Sequence, residues 1–263
     1  NIFHINSKFS IIPGIRYENI YTKADGFYNN PQQDLASIYT GTVISNQLVT
    51  EHRLNKRSFL LGGVGFSYDQ NSSIQFYANI SQNYRAINFN DMSIVNPNIR
   101  VNPNLKDEKG YSADLGIRGH ITSVFNYDLS LFTIDYADRI GTVWLQDTSS
   151  IIYQYTTNIS RSRNLGVESF AEVNIWKLIK GDAAKMKLSV FSNLSFIDAR
   201  YINSKEPAYE NKKVEFVPPV IFKTGITFQK NKFTATYQYS YTAKQFGDAT
   251  NATTPSNNGI NGL

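Results

Sequence analysis

Glu168 and Glu172 stand four residues apart, and paired carboxylates are one arrangement that can do acid–base work. In an alternating strand that spacing separates them by about 13 Å, too far for direct partnership. His4, His52 and His120 lie far apart in sequence and make no ligand-spaced set. With no cysteine, neither a disulfide scaffold nor cysteine-held zinc is open to the chain. No nucleophile elbow or metal triad stands out, so no enzyme is expected. Lys and Arg number 26 against 21 Asp and Glu, but they are scattered among the acids. A nucleic-acid footprint gathers its charge in a patch, so no nucleic-acid partner is expected.

The elements that must position any other chemistry are strands. In "IQFYANISQNYR", residues 74–85, Ile74, Phe76, Ala78 and Ile80 fall on one side, and Gln75, Tyr77, Asn79, Ser81, Asn83 and Arg85 on the other. The same period of two runs through "FSIIPGIRYE", "YSADLGIRGHI", "LGVESFAEVNI" and "FTATYQYSYTAK". Further strands fit residues 58–69, 125–139, 185–200 and 220–229, with a strand end at 1–5. That makes about ten strands of about 10–14 residues, when globular strands average roughly 5–6 and a tilted membrane strand needs about 9–11.

Their connections sort by length. Short polar turns are expected at 6–8, 69–73, 122–125, 179–184 and 229–231. Long segments are expected near 24–56, 87–107, 140–160, 201–216 and after 246. Outer-membrane barrels divide their loops this way between two ends. The apolar faces quoted above carry no charge, while the opposite faces carry Arg16, Glu18, Asp114, Arg118, Glu168 and Glu172. Tyr17, Tyr68, Tyr84 and Tyr136 at strand ends suit an interfacial girdle. No apolar run is long enough for a transmembrane helix. The expectation is an all-β, antiparallel transmembrane β-barrel, with Ile74, Phe76 and Ile80 toward lipid and Gln75, Asn79, Asn83 and Arg85 toward a polar lumen. A soluble β-sandwich shares the one-sided charge, but has no reason to sort its loops.

Several segments carry a resemblance. "FSIIPGIRYE", "YANISQNYRAINFNDM", "NPNLKDEKGYSADLGIRG", "RNLGVES", "VPPVIFKTGITF" and "YSYTAKQFGDATN" resemble, in order, barrel segments of TonB-dependent outer-membrane receptors. "RAINFNDM" and "FGDATN" resemble the ferric dicitrate subgroup. The resemblance implies a 22-stranded barrel plugged by an N-terminal domain, of which residues 1–263 are about ten strands of one barrel domain. The plug, the TonB-binding motif and the final strands would lie outside this chain. It further implies import of a ferric chelate across the bacterial outer membrane, most simply ferric citrate or another siderophore. No resident cofactor is implied, iron being present only as the transported chelate. The implied partners are the chelate, the TonB complex through the N-terminal region, and outer-membrane lipid. A passive porin-like channel is the membrane alternative, and cobalamin or a glycan are alternative cargoes.

For an anionic citrate ligand, the resemblance directs attention to lumen-phase cations near the long-loop end. Arg85 closes its strand, Arg139 follows Thr133 and Asp135 as though on one face, and Lys244 follows Ser240 and Thr242. Asn83, Asn88 and Gln245 are near enough in sequence to add hydrogen bonds. The ordinary alternative for each is a wall residue, with Arg139 paired to Asp135 or Asp138. Arg161, Arg163 and Arg200 fall in the lipid phase or beyond it and read as snorkelling cations. The Asn-rich loop 88–104 is either a ligand cover or a turn-former. "NPNL" with "DEKG" reads as the turn back into the barrel. Gly14, Gly62, Gly63 and Gly65 read as bends or plug contacts.

Overall fold

The computed structural model describes residues 1–32, 45–92, 99–147, 152–181, 186–204, 207–255 and 261–262. Alternation of apolar and polar side chains gives one twelve-stranded sheet. Its strands are β1 (Phe3–His4), β2 (Phe9–Gln32), β3 (Ser45–Asn71), β4 (Ile74–Arg85), β5 (Ile99–Val101) and β6 (Glu108–Ile121). They continue with β7 (Phe125–Gln146), β8 (Ile152–Asn174), β9 (Lys187–Ile202), β10 (Val220–Lys230), β11 (Phe233–Thr242) and β12 (Asn261–Gly262). The order is linear from β1 to β12, each strand antiparallel to its neighbours, except that β5 leaves the path and pairs parallel with the upper part of β8.

Cross-strand partners share a face, so the register extends the alternation sideways. Ala78, Leu115, Leu131, Val167, Phe196 and Val220 form one such row. Phe76, Ile117, Leu129, Ser169, Leu194 and Phe222 form the next. This face is bare: Ile15 is 82% exposed, Leu60 65% and Leu131 55%. Among the described residues no second sheet covers it. In water it would be an apolar patch far larger than soluble monomers carry, which argues against the sandwich. From Ala113 to Ile121 the apolar phase runs about 27 Å along the strand, or about 20 Å along the normal at the usual tilt, near the roughly 25 Å band of outer-membrane barrels. Below it, at the short-turn end, outward rings pair up as Phe9–Phe66, Tyr68–Phe76, Phe125–Tyr127 and Phe228–Phe233. These are the aromatics a membrane interface selects.

The inner face is polar and knit by side chains. Tyr77 lies flat across its cross-strand partner Gly116, where a Cβ would stand 2.3 Å from the ring, and donates to Asp128 at 2.7 Å. Phe191 covers Gly225 in the same way, with 2.7 Å to the nearest ring atom. Gly14 and Gly63, cross-strand partners, leave a hollow of about 560 Å³ on the inner wall beside Asn79, Ser81 and Asn83.

Several expectations need correction. The segments 24–56 and 140–160 are largely strand, since β2 and β3 pair out to Gln32 and Ser45, and β7 and β8 out to Gln146 and Ile152. Strand lengths therefore reach 27 residues. Ile175–Lys180, expected as strand end and turn, is a short helix whose N-cap Asn174 accepts from Lys177 N at 3.0 Å. Tyr136 shares a face with Gly110 and Ser162 and so points inward, not to a girdle. Tyr84 packs on Phe59 with ring centroids 3.8 Å apart and donates to Asp107. The middle of the Asn-rich loop, 93–98, lies outside the described residues.

Buried apolar residues gather above the band. Ile87 and Met92, with Leu105 against them, cover Ile140. Val143 and Ile159 pack with Ala199, Tyr201, Tyr209, Val214 and Ala249. The upper β7–β8 hairpin is thus sealed on one side by the β4–β6 connection and on the other by the connections after β9 and β11.

Candidate ligand site at the mouth of the barrel

Arg85 ends β4 in the inward phase, opposite Glu108 at the start of β6. Its Nη1 donates to Glu108 Oε1 at 3.0 Å, and its Nη2 donates to Asp91 Oδ1 at 2.7 Å. Arg139 reaches the same carboxylate from β7, Nη1 to Oε2 at 3.2 Å. Glu108 is 1% exposed and also accepts from Ile140 N at 2.9 Å. The two arginines thus meet on one buried acid, and they remain 35% and 28% exposed. Arg139 Nε is buried and has no hydrogen-bond partner.

Arg139 arrives there by a route that strict alternation misses. Asp135 stands opposite Tyr111 and Arg163 in the outward phase. The register then shifts between Tyr136 and Arg139, and again before Ile140, with Asp138 at φ 53°. The extra residue of this bulge turns Arg139 inward, so it does not share a face with Thr133 and Asp135. Its carboxylate partner is Glu108, not Asp135 or Asp138.

The other expected residues are placed less centrally. Asn83 is inward and accepts from Ser112 Oγ at 3.4 Å. Asn88 caps the helix Phe89–Met92: its Oδ1 accepts from Asp91 N at 3.1 Å while Asp91 Oδ2 accepts from Asn88 N at 2.8 Å. Lys244 is exposed and Gln245 half-buried after β11, which five strands separate from the Arg85 strand in the sheet. The structure joins Arg85 to Arg139 and leaves Lys244 and Gln245 apart from them.

Beside the pair opens a cavity of about 420 Å³, lined among others by Asp91, Ile140, Trp144, Glu215, Phe216 and Asp248. Glu215 accepts from the buried Tyr201 hydroxyl at 2.6 Å. Asp248 is held by Thr250 and Thr253, through both backbone N–H and hydroxyl, and by Ala252 N at 3.3 Å. Burial pushes its carboxyl up, but the hydrogen bonds from Thr250, Thr253 and Ala252 outweigh that and hold it well below the usual carboxylate range. Asn251, next in the same motif, binds the backbone of Lys213 in the neighbouring connection, at 2.8 Å both from Lys213 N and to Lys213 O. Asp248 and Asn251 of "GDATN" therefore shape the rim.

Sequence reasoning missed Glu108 and Asp107. Asp107 accepts from Ile87 N at 2.9 Å and pairs with Arg57 at 2.5 Å. The signal available was two adjacent acids where a long loop re-enters a strand. Among the described residues no three His, Cys, Asp or Glu side chains gather as a metal site.

One antiparallel sheet with a bare apolar face, an aromatic lower rim and a polar inner face roofed by long connections is the wall of a transmembrane β-barrel. The chain belongs to the family described as TonB dependent receptor-like, beta-barrel, whose model matches residues 1–259. Proteins of this family reside in the outer membrane.

Solved structures agree on the fold. The copper transporter OprC superposes with a TM-score of 0.65 at 16% identity, over 94% of this chain and 34% of that one. The ferric-catecholate import receptor Fiu from E. coli K12 gives 0.64 at 16%, over 93% and 33%. The ferric citrate transporter FecA, unliganded, gives 0.64 at 16%, over 97% and 34%. The chain spans about a third of the length of these proteins. A search of curated protein sequences returned no match.

Proposed function

We propose that the protein of which this chain is part imports a ferric chelate across the outer membrane, energised through TonB, with an N-terminal plug filling the lumen. Family membership and the polar inner wall support the import reading. Its cargo is an anionic chelate, for which ferric citrate is the reading favoured by "RAINFNDM" and "FGDATN". The observation that carries the site is the convergence of Arg85 and Arg139 on Glu108 beside the mouth cavity. Both guanidinium groups keep exposed edges, and Arg139 Nε is an unused donor. A citrate carboxylate can bridge the exposed edges of the two while Glu108 keeps its bonds to both, so that the buried acid is not left uncompensated. Asn83, on the wall below, and Asn88 add amide groups; Lys244 and Gln245 would act from a separate part of the rim.

The test is ferric citrate binding to the intact receptor, read by intrinsic fluorescence. Arg85→Ala with Arg139→Ala should weaken binding at least tenfold. Glu108→Gln, which removes the carboxylate the two arginines share and leaves Arg85 only Asp91, should tighten it. Unchanged affinity in both variants would refute the assignment. Tighter binding of a neutral chelate than of citrate would keep the import reading and replace the cargo.

A further inference from the structure

The upper β7–β8 hairpin carries a cavity on each of its faces. Thr142, Gln154 and Thr156 line the mouth cavity. The alternate positions Val143, Leu145, Tyr155 and Thr157 line a second cavity of about 520 Å³, on the face turned away from the first. A volume of this order suits a small molecule. Val143 and Ile159 supply its buried apolar lining, Tyr155 and Tyr209 bring rings to it, and Trp144, 58% exposed, stands at its edge. Tyr155 is braced. Tyr153 meets it edge-on with centroids 6.2 Å apart, Arg100 lies over the Tyr153 ring at 3.9 Å, and Arg100 in turn donates to Asp147 at 3.0 Å.

Polar side chains complete the lining, and they stand on anchored backbone. Asn102 donates to Thr157 Oγ1 at 2.9 Å and accepts from Asn104 N at 2.9 Å. Asn158 grips Lys106 by both its N–H and its carbonyl, and holds the Asp138 carbonyl as well. The backbone at Asn104, Lys106 and Asp138 is therefore fixed. Yet the side chains of these three, and the Trp144 indole N–H, have no hydrogen-bond or ion-pair partner among the described residues. One amide, one ammonium and one carboxylate offer donors and acceptors together with no net charge. An ionic ligand would meet a like charge here, whereas hydroxyl groups satisfy both signs. The rings ask in addition for a ligand with a flat C–H surface. A pyranose has both, hydroxyls around its edge and C–H groups on its faces.

We propose that this cavity binds a neutral saccharide, one sugar ring lying against Tyr155 with its hydroxyls shared among Asn104, Lys106 and Asp138. The site is on the other face of the hairpin from the mouth cavity, so it is separate from that of the cargo and stands whether or not the cargo is citrate.

The test is saturation-transfer difference NMR of the full-length receptor in a sugar-free detergent. Cellobiose, maltose and lactose are the probes, and sorbitol is the polyol without a ring. At least one disaccharide should bind in the millimolar range, with transfer strongest to its ring C–H protons, and sorbitol should give no signal. Asn104→Ala with Asp138→Asn should weaken that binding about tenfold, asparagine being a residue that tolerates the positive φ at 138. No signal from any of the three disaccharides, an equal signal from sorbitol, or unchanged affinity in the double variant would overturn the proposal. If the double variant does not fold, as judged by heat-modifiable electrophoretic mobility, Trp144→Ala replaces it, because that ring is exposed. Weaker disaccharide binding in Trp144→Ala supports the site, and unchanged binding rejects it.

Discussion

Asp248 and Glu108 show how single acids organise the mouth. Asp248 gathers Thr250, Ala252 and Thr253 around one carboxylate. Because its native pKa is depressed, its contribution is complete above the ordinary carboxylate value of about 4 and is lost as pH falls through the lower native value. Asp248→Asn should therefore be cut by pepsin within 243–255 at about pH 4, where the wild-type loop resists until the solution is more acidic. Equal susceptibility would show that the carboxylate charge does not hold the loop. How far the site could be read from sequence differs between the two arginines. Arg85 follows from alternation alone. Arg139 does not, because a bulge is one extra residue with no apolar signature, and Asp138 tolerates its positive φ without advertising it. Glu108 was hidden for another reason: its partners come from two other strands, β4 and β7, and burial of an acid depends on both of them.

At the scale of elements, alternation located the strands wherever lipid demands an apolar face. It failed above the band, where β2, β3, β7 and β8 run on into water. There the backbone ladder continues, but neither face needs to be oily, so the sequence loses its period and resembles a loop. Asn158 is one of the side chains that hold the β4–β6 connection to this extended hairpin, beside Asn102 on Thr157 and Arg100 on Asp147. Asn158 accepts from Lys106 N at 2.8 Å and donates to the carbonyls of Lys106 at 2.9 Å and Asp138 at 2.7 Å. Asn158→Ala should cost about 1–3 kcal/mol locally and speed amide exchange over 99–106 about tenfold or more, measured by hydrogen–deuterium exchange. Exchange confined to the wild-type rate would place the anchor in β5 instead.

For the whole molecule, the face assignment is the claim on which the rest depends. Leu129 is outward and 46% exposed, and Ser130 beside it is inward. In the intact receptor, Leu129→Arg should destabilise the barrel by about 2–4 kcal/mol, whereas Ser130→Arg should be nearly neutral. Denaturant unfolding from lipid vesicles measures both, and comparable losses would reverse the faces. The general architecture was legible because a bilayer imposes one rule on every strand it touches. The order of β5, which passes over to the far edge of β8, was not legible, since three residues carry no pattern.

The clasp between the two connections after β9 and β11 has a consequence for inheritance. Asn251 binds Lys213 only through backbone atoms, and Phe216 N donates to the Phe246 carbonyl at 2.9 Å. The side chain at 213 can drift without loosening that amide clasp, while Asn251 cannot be exchanged and keep both bonds. The two loops are therefore one heritable unit: recombination that transplants 203–219 into a related barrel without 243–255 delivers half a lock.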